Sequence, residues 1–207
     1  MKGKLIVFEG PEGCGKTTKA KMVYNFFKKK NKKVVLLREP GGIKISEQIR
    51  KIILNPKNKN MCALTELLLY EAARAQLVCE KIKPLLKKGY IVLMDRFYLA
   101  TTVYQGYGRG ISKKIIDYLN NLVTQNIKPD LTIIYDVSRK EALKRLSERE
   151  KKDRIEQESS SFHNKIRRGY LKEGKLINAV IIKTDGKSAS EVFDITKKVL
   201  FRVIKWQ

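Results

Sequence analysis

Residues Gly10 to Thr17 fit the pattern G-x-x-x-x-G-K-S/T, with the apolar run Leu5-Ile6-Val7-Phe8 before them and an amphipathic stretch behind. Few short segments constrain a fold so tightly. Glycines at 10, 13 and 15 let the backbone turn successive N–H groups inward on a polyphosphate. That arrangement needs a buried strand on one side and a helix on the other, whose positive dipole end faces the same anion. Lys16 adds a movable positive charge, and the Thr17 hydroxyl is placed to ligate Mg²⁺. The whole loop (Gly10, Pro11, Glu12, Gly13, Cys14, Gly15, Lys16, Thr17 and Thr18) is therefore the expected seat of a nucleoside triphosphate, ATP by default. Cys14 reads as a small filler within it.

Beyond the loop, short apolar runs alternate with longer amphipathic stretches, the pattern of βαβ units around a parallel sheet. The sequence predicts strands at 4–9, 33–38, 90–95, 131–136 and 179–183, and helices at 17–30, 44–54, 64–88, 113–126, 139–148, 156–173 and 188–205. Turn signals punctuate them at Pro40-Gly41-Gly42, Asn55-Pro56, Gly106 to Gly110, Lys128-Pro129 and Asp185-Gly186. No repeat or linker marks a second domain. The expectation is one α/β domain, 1–207, with a five-stranded parallel sheet flanked by helices. Ligands of such sheets sit beyond the carboxyl ends of the strands, and those ends are polar here: Glu12, then Arg38-Glu39-Pro40, then Asp95-Arg96-Phe97. Asp95 is a candidate Mg²⁺ ligand, directly or through water, and Arg96 a bidentate phosphate grip. Residues 149–156 alternate in charge without Gly or Pro, as expected of a mobile flap that closes over polyphosphate.

Composition narrows the setting. No stretch approaches about 18 apolar residues and no h-region with a cleavage site opens the chain, so neither a membrane span nor a signal peptide is expected, and the setting is expected to be cytoplasmic. Cys14, Cys62 and Cys79 are odd in number and lack metal-ligand spacing, which suits reduced thiols. A net charge of +24 would ordinarily suggest nucleic acid. The lysines, however, fall in short separate clusters, mostly at the ends of predicted helices as at Lys28-Lys29-Lys30 and Lys87-Lys88, where cations complement the helix dipole. Nucleic acid is therefore not the expected partner. His163, the one histidine, sits in a polar helical stretch and reads as surface.

Six ordered segments together resemble a known family, the thymidylate kinases of the P-loop nucleoside monophosphate kinase group, and the bacterial branch in particular. They are Glu9 to Thr18, Arg38 to Gly42, Tyr70-Glu71-Ala72-Ala73-Arg74-Ala75-Gln76, Asp95-Arg96-Phe97, Tyr104-Gln105-Gly106 and Asp153-Arg154-Ile155-Glu156-Gln157-Glu158. The resemblance implies transfer of the ATP γ-phosphoryl group to dTMP, giving dTDP on the way to dTTP, with Mg²⁺. It also implies a homodimer and a flexible lid at about 148–156. In the acceptor site it implies that Tyr70 stacks on thymine, Arg74 donates to O4, Thr101 and Gln105 touch the base, and Tyr104 crowds the sugar C2′. Glu12 lies near the 3′-hydroxyl, Arg96 meets the acceptor phosphate, and Glu39 and Arg50 belong to the same site. The catalytic set is then Lys16, Asp95, Arg96 and a lid arginine, Arg149 ahead of Arg154; the metal set is Thr17 and Asp95. Tyr70 and Arg74, four apart on a predicted helix, share a face. Tyr70 departs from the family's usual phenylalanine, keeping the ring but adding a hydroxyl that needs a partner. Two alternatives stand beside this reading: a P-loop kinase for another nucleoside or nucleotide, and a basic, nucleotide-regulated nucleic-acid-binding protein.

Overall fold

Runs rich in Val, Ile and Leu become the strands of one five-stranded sheet in the computed structural model, which describes residues 3–147 and 153–203. The strands are β1 (Lys4–Glu9), β2 (Val34–Arg38), β3 (Ile91–Asp95), β4 (Leu131–Asp136) and β5 (Val180–Lys183). All are parallel, in the order β2-β3-β1-β4-β5. β1 is central, with Ile6 registered against Leu93 of β3 and Leu131 of β4. Its apolar residues run without alternation because both faces of the sheet are covered. Ile6 and Phe8 enter one core with Leu93 and Ile133, while Leu5 and Val7 enter the other with Val92 and Met94.

The first core is closed by α1 (Lys16–Lys29), which buries Ala20, Val23 and Phe27 at helical spacing and ends on Lys28 and Lys29. α2 (Lys44–Leu54) follows. The single helix expected over 64–88 is instead α3 (Ala63–Leu77), a π-helical turn at Val78–Ile82 and α4 (Lys83–Lys87). Pro84 accounts for the change: its ring would collide with the Glu80 carbonyl in a regular helix, and that carbonyl lies in the wider turn. Leu77, Val78 and Ile82 fill the second core.

Residues 98–108, expected to end in a glycine turn, are helical: α5 (Tyr98–Thr101) continues into a π-helical segment at Thr102–Gly108. Tertiary packing overrides the glycines. Residues 101 to 105 are all buried, and α8 (Ser160–Leu176) approaches so closely that a Cβ on Gly108 would lie 2.6 Å from the Phe162 ring. α8 itself starts at Ser160, not 156, because the Ser159 side chain caps it by accepting from Phe162 N. α6 (Lys113–Thr124), α7 (Arg139–Ser147) and α9 (Ala189–Val203) complete the layers.

The chain leaves β1 for the β2 edge, returns through β3, and only then crosses to β4 and β5. A crevice therefore opens above the carboxyl end of β1. Leu93 is fully buried between β1 and β2. Leu93→Ala should cost about 2–5 kcal/mol, read as a lower urea midpoint with an unchanged slope.

Candidate active site

The loop after β1 supplies one end of that crevice. Gly10 has φ 137°, and a Cβ there would lie 2.4 Å from the Tyr135 carbonyl oxygen, so no other residue brings the loop this close to β4. Gly15 immediately precedes α1, which leaves the first N–H groups of the helix facing the loop. Lys16 Nζ donates to Pro11 O across the loop at 3.3 Å, and Arg145 of α7 braces it from outside through Gly13 O at 3.2 Å. Cys14 is fully buried in the core and burial pushes its thiol up, which suits a filler and not a reactive group. At the end of β3, Asp95 Oδ2 accepts from Thr17 Oγ1 at 2.6 Å.

Beside the loop lies a cavity of about 280 Å³. It brings together every acceptor-site residue expected from the sequence, namely Glu12, Glu39, Arg50, Tyr70, Arg74, Arg96, Thr101, Tyr104 and Gln105, with Lys16, Thr17 and Asp95. Two arginines organise its walls. Arg96 donates to Tyr170 Oη at 2.7 Å, Glu12 Oε1 at 2.9 Å and Tyr104 Oη at 3.1 Å. Arg74, 2% exposed, donates through Nε to Glu39 at 2.7 Å, through Nη1 to Glu71 at 2.9 Å and Asn120 at 3.0 Å, and through Nη2 to Thr101 at 2.9 Å. Burial pushes the Glu39 carboxyl up to about 7 against the pull of Arg74. Burial would also raise Glu12, but His163, Arg96 and Lys16 together hold it far below the usual carboxylate range. Arg50 donates to Pro40 O at 2.9 Å.

Several residues sit where the sequence reading did not put them. His163 is buried, not at the surface, with Nδ1 3.6 Å from Glu12 Oε2. The apolar stripe Phe162, Ile166, Tyr170 around it was the available signal: it turns that side of α8 inward. Arg154 is buried and committed: Nε donates to Ile53 O at 2.7 Å and Nη2 lies 2.6 Å from Glu66. It is thus part of the cavity's framework and not a free lid arginine. Arg149, with the rest of residues 148–152 of the expected lid, lies outside the described residues. Residues 153–158 form a turn held by Asp153 Oδ1, which accepts from Ile155 N and Glu156 N, and Asp153, Ile155 and Glu156 line the cavity. Glu9, Glu66, Glu71, Asn120 and Tyr170 were not singled out as site residues. Only Glu71, three before Arg74 on the same helix face, had a local signal.

A phosphate loop at the carboxyl end of a central strand, a carboxylate on the neighbouring strand and a polar-walled cavity beside both define a class, the P-loop NTPase fold. Comparison makes it specific. The sequence model of the family described as thymidylate kinase matches residues 8–194. The thymidylate kinase of Thermoanaerobacter sp. (strain X514) is 44% identical over 205 residues, covering 97% of this chain and all of that protein. That of Geobacillus sp. (strain WCH70) is 44% identical over 199 residues and covers 95% of each. The crystal structure of thymidylate kinase from Ehrlichia chaffeensis superposes with a TM-score of 0.79 at 31% identity, over 97% of this chain and all of that one. The chain belongs to the thymidylate kinase family.

The Arg74 contacts generate a prediction about stability. Arg74→Ala leaves the Glu39 and Glu71 carboxylates buried without their cation, which should cost about 3–5 kcal/mol. Adding Glu39→Gln should recover part of that loss, because a buried acid whose ionised form burial already disfavours is replaced by a neutral amide. Urea unfolding of the single and double variants checks both.

Proposed function

We propose that this chain transfers the γ-phosphoryl group of ATP to the 5′-phosphate of dTMP, giving dTDP on the route to dTTP, with Mg²⁺. The observation that carries the reading is a single cavity with Lys16, Thr17 and Asp95 at its loop end and Tyr70, Arg74, Thr101 and Gln105 also in its walls. Phosphoryl transfer asks little covalent chemistry of a protein. Two polyanions must be held in line and their charge neutralised.

Loop N–H groups and Lys16 hold the donor phosphates. The Thr17 hydroxyl and Asp95 carboxylate are adjacent hard oxygen donors, the kind Mg²⁺ takes while keeping water and phosphate oxygens in its remaining positions. Bound there, the ion would neutralise charge on the β- and γ-phosphates. Arg96, fixed by Tyr104 and Tyr170, meets the acceptor phosphate. Glu12 Oε2 accepts no hydrogen bond within 3.5 Å among the described residues, with His163 Nδ1 at 3.6 Å, and can accept from the sugar 3′-hydroxyl. Tyr70 offers its ring to the base. Four N–H groups of Arg74 are already taken, and a second one on Nη2 is available to thymine O4. Cytosine presents an amino group there and would leave that donor unpaired.

A homodimer is part of the proposal. α3 packs against both α2 and α6, and these helices expose Ile52, Leu68, Ile115, Tyr118 and Leu122, apolar side chains that a second copy could cover. Among the described residues no helix is long and apolar enough to cross a membrane. The free thiols of Cys14, Cys62 and Cys79 fit the cytoplasmic setting proposed for a nucleotide kinase.

In a coupled ADP-release assay, dTMP should be the best acceptor. dUMP keeps O4 but lacks the methyl group, a difference of about 1–3 kcal/mol or tens- to hundreds-fold. Equal turnover of dCMP would remove Arg74 from base recognition. The loop interior Pro11-Glu12-Gly13-Cys14 carries no basic residue before Lys16, so charge for the moving phosphoryl group must come from the lid. Arg149→Ala should therefore lower kcat about a hundredfold with little change in dTMP KM, as for loss of a transition-state donor. Arg154→Ala should instead weaken stability and acceptor KM, because its guanidinium is tied to Ile53 and Glu66. A large kcat loss confined to Arg154→Ala would reverse the assignment.

A further inference from the structure

A carboxylate behind the acceptor cavity carries a role that the residues touching the nucleotide do not explain. Glu66, in the first turn of α3, is 1% exposed. Its Oε1 accepts from Gln105 Nε2 at 2.9 Å and from Arg109 Nε at 3.0 Å; its Oε2 accepts from Arg109 Nη2 at 3.0 Å and lies 2.6 Å from Arg154 Nη2. Burial pushes this carboxyl up, but the hydrogen bonds from Arg109 and Gln105 and the charges of Arg109 and Arg154 outweigh it and hold the group below the usual carboxylate range. An ionised carboxylate only accepts hydrogen bonds. Gln105 must therefore turn its NH₂ toward Glu66, and the Oε1 end of the amide is the one left for the cavity that Gln105 lines.

An amide that is free to rotate has no such preference. Its two ends are nearly the same shape, so it can present an acceptor or a donor to whatever faces it. Thymine and uracil carry N3–H, a donor; cytosine carries a lone pair at N3, an acceptor. A fixed Oε1 pairs with the first and repels the second, whereas a freed amide rotates to pair with either.

We propose that Glu66 is a specificity-determining positioning residue: by locking the Gln105 amide with Oε1 toward the base, it makes the site accept only a pyrimidine with a proton at N3. The proposal rests on the dTMP reading of the cavity. Glu66 touches no nucleotide atom and acts through Gln105. The same carboxylate holds Arg154, and Arg109, which it also binds, reaches Glu158 at 2.7 Å, so the 153–158 turn is fastened to the group that orients the base reader.

The test measures kcat/KM for dTMP and dCMP in the full-length protein, Glu66→Gln, Gln105→Ala and the double variant. Glu66→Gln should reduce the dTMP-over-dCMP ratio about tenfold, and on the Gln105→Ala background it should change the ratio no further. A merely structural Glu66 would lower both substrates together and leave the ratio as it was, which overturns the proposal. The unmodified protein gives an independent reading. Nuclear Overhauser contacts should join the Gln105 side-chain NH₂ to the Glu66 γ-protons, and contacts from that NH₂ to bound dTMP would sink the idea even if no variant folds. Should the wild-type protein fail to phosphorylate dTMP, the functional reading fails, while the Glu66–Gln105 contact still reports the amide orientation.

Discussion

A largely buried guanidinium, that of Arg96, fixes how the elements of this protein meet. It follows β3 directly and ties Glu12 of the phosphate loop, Tyr104 of the π-helical segment and Tyr170 of α8 to one planar group. Tyr170 in turn donates to Glu9, the last residue of β1, whose other oxygen accepts from Phe97 N. Burial pushes the Glu9 carboxyl up, so this cluster bears the cost of desolvating acid and base together. Such a group is stable only when all of its partners are in place. The end of β1, the loop, the end of β3 and α8 are thereby held to one geometry. Arg96 itself adopts φ 72°, a left-handed conformation unfavourable for a side chain of this size, and its N–H donates to Phe8 O.

Arg74 plays the corresponding part on the wall formed by α3, and the division matters for recognition. In the function proposed above one arginine serves the phosphate and the other the base; Arg96 is held by Glu12 and two tyrosines, and Arg74 by Glu39 and Glu71, before any ligand arrives. Preorganisation of this kind spares a ligand the entropy of ordering the groups that bind it. It also shows why the net charge of +24 says little about the site. The charges that matter are buried and paired, whereas lysines such as Lys28, Lys29 and Lys30 are exposed at a helix end.

What was legible in the sequence follows the range of the forces involved. The phosphate loop, the strands and most helices depend on neighbours a few residues away, and β4 and α2 match their expected bounds. Helix 98–108 was hidden because its stability comes from α8 packing over it, not from its own composition. The acceptor-site residues found through family likeness all line the cavity, but most of their supports were invisible. Glu9 and Tyr170 are 161 positions apart, and Gln105 and Glu66 are 39 apart. No periodicity links such pairs. Polarity alone misplaced His163, and it gave no sign that Arg154, the less favoured lid candidate, is drawn inward by Ile53 and Glu66, since it judges a residue by its own chemistry and not by the partner that buries it.

The end of β3 illustrates how little chain is needed to set a reaction axis. Asp95 closes the strand and reaches Thr17 on the donor side, and the next residue, Arg96, reaches Glu12, Tyr104 and Tyr170. In a continuing strand, successive side chains would point to opposite faces of the sheet. The left-handed turn at Arg96 instead lets two consecutive residues serve neighbouring parts of one cavity. In the function proposed above, the carboxylate for the donor's cation and the guanidinium for the acceptor's phosphate are carried by residues joined by one planar peptide unit. Both side chains are further held by partners from other elements, Asp95 by Thr17 and Arg96 by Glu12, Tyr104 and Tyr170, and in the proposed transfer that fixed placement is what holds two phosphates in line.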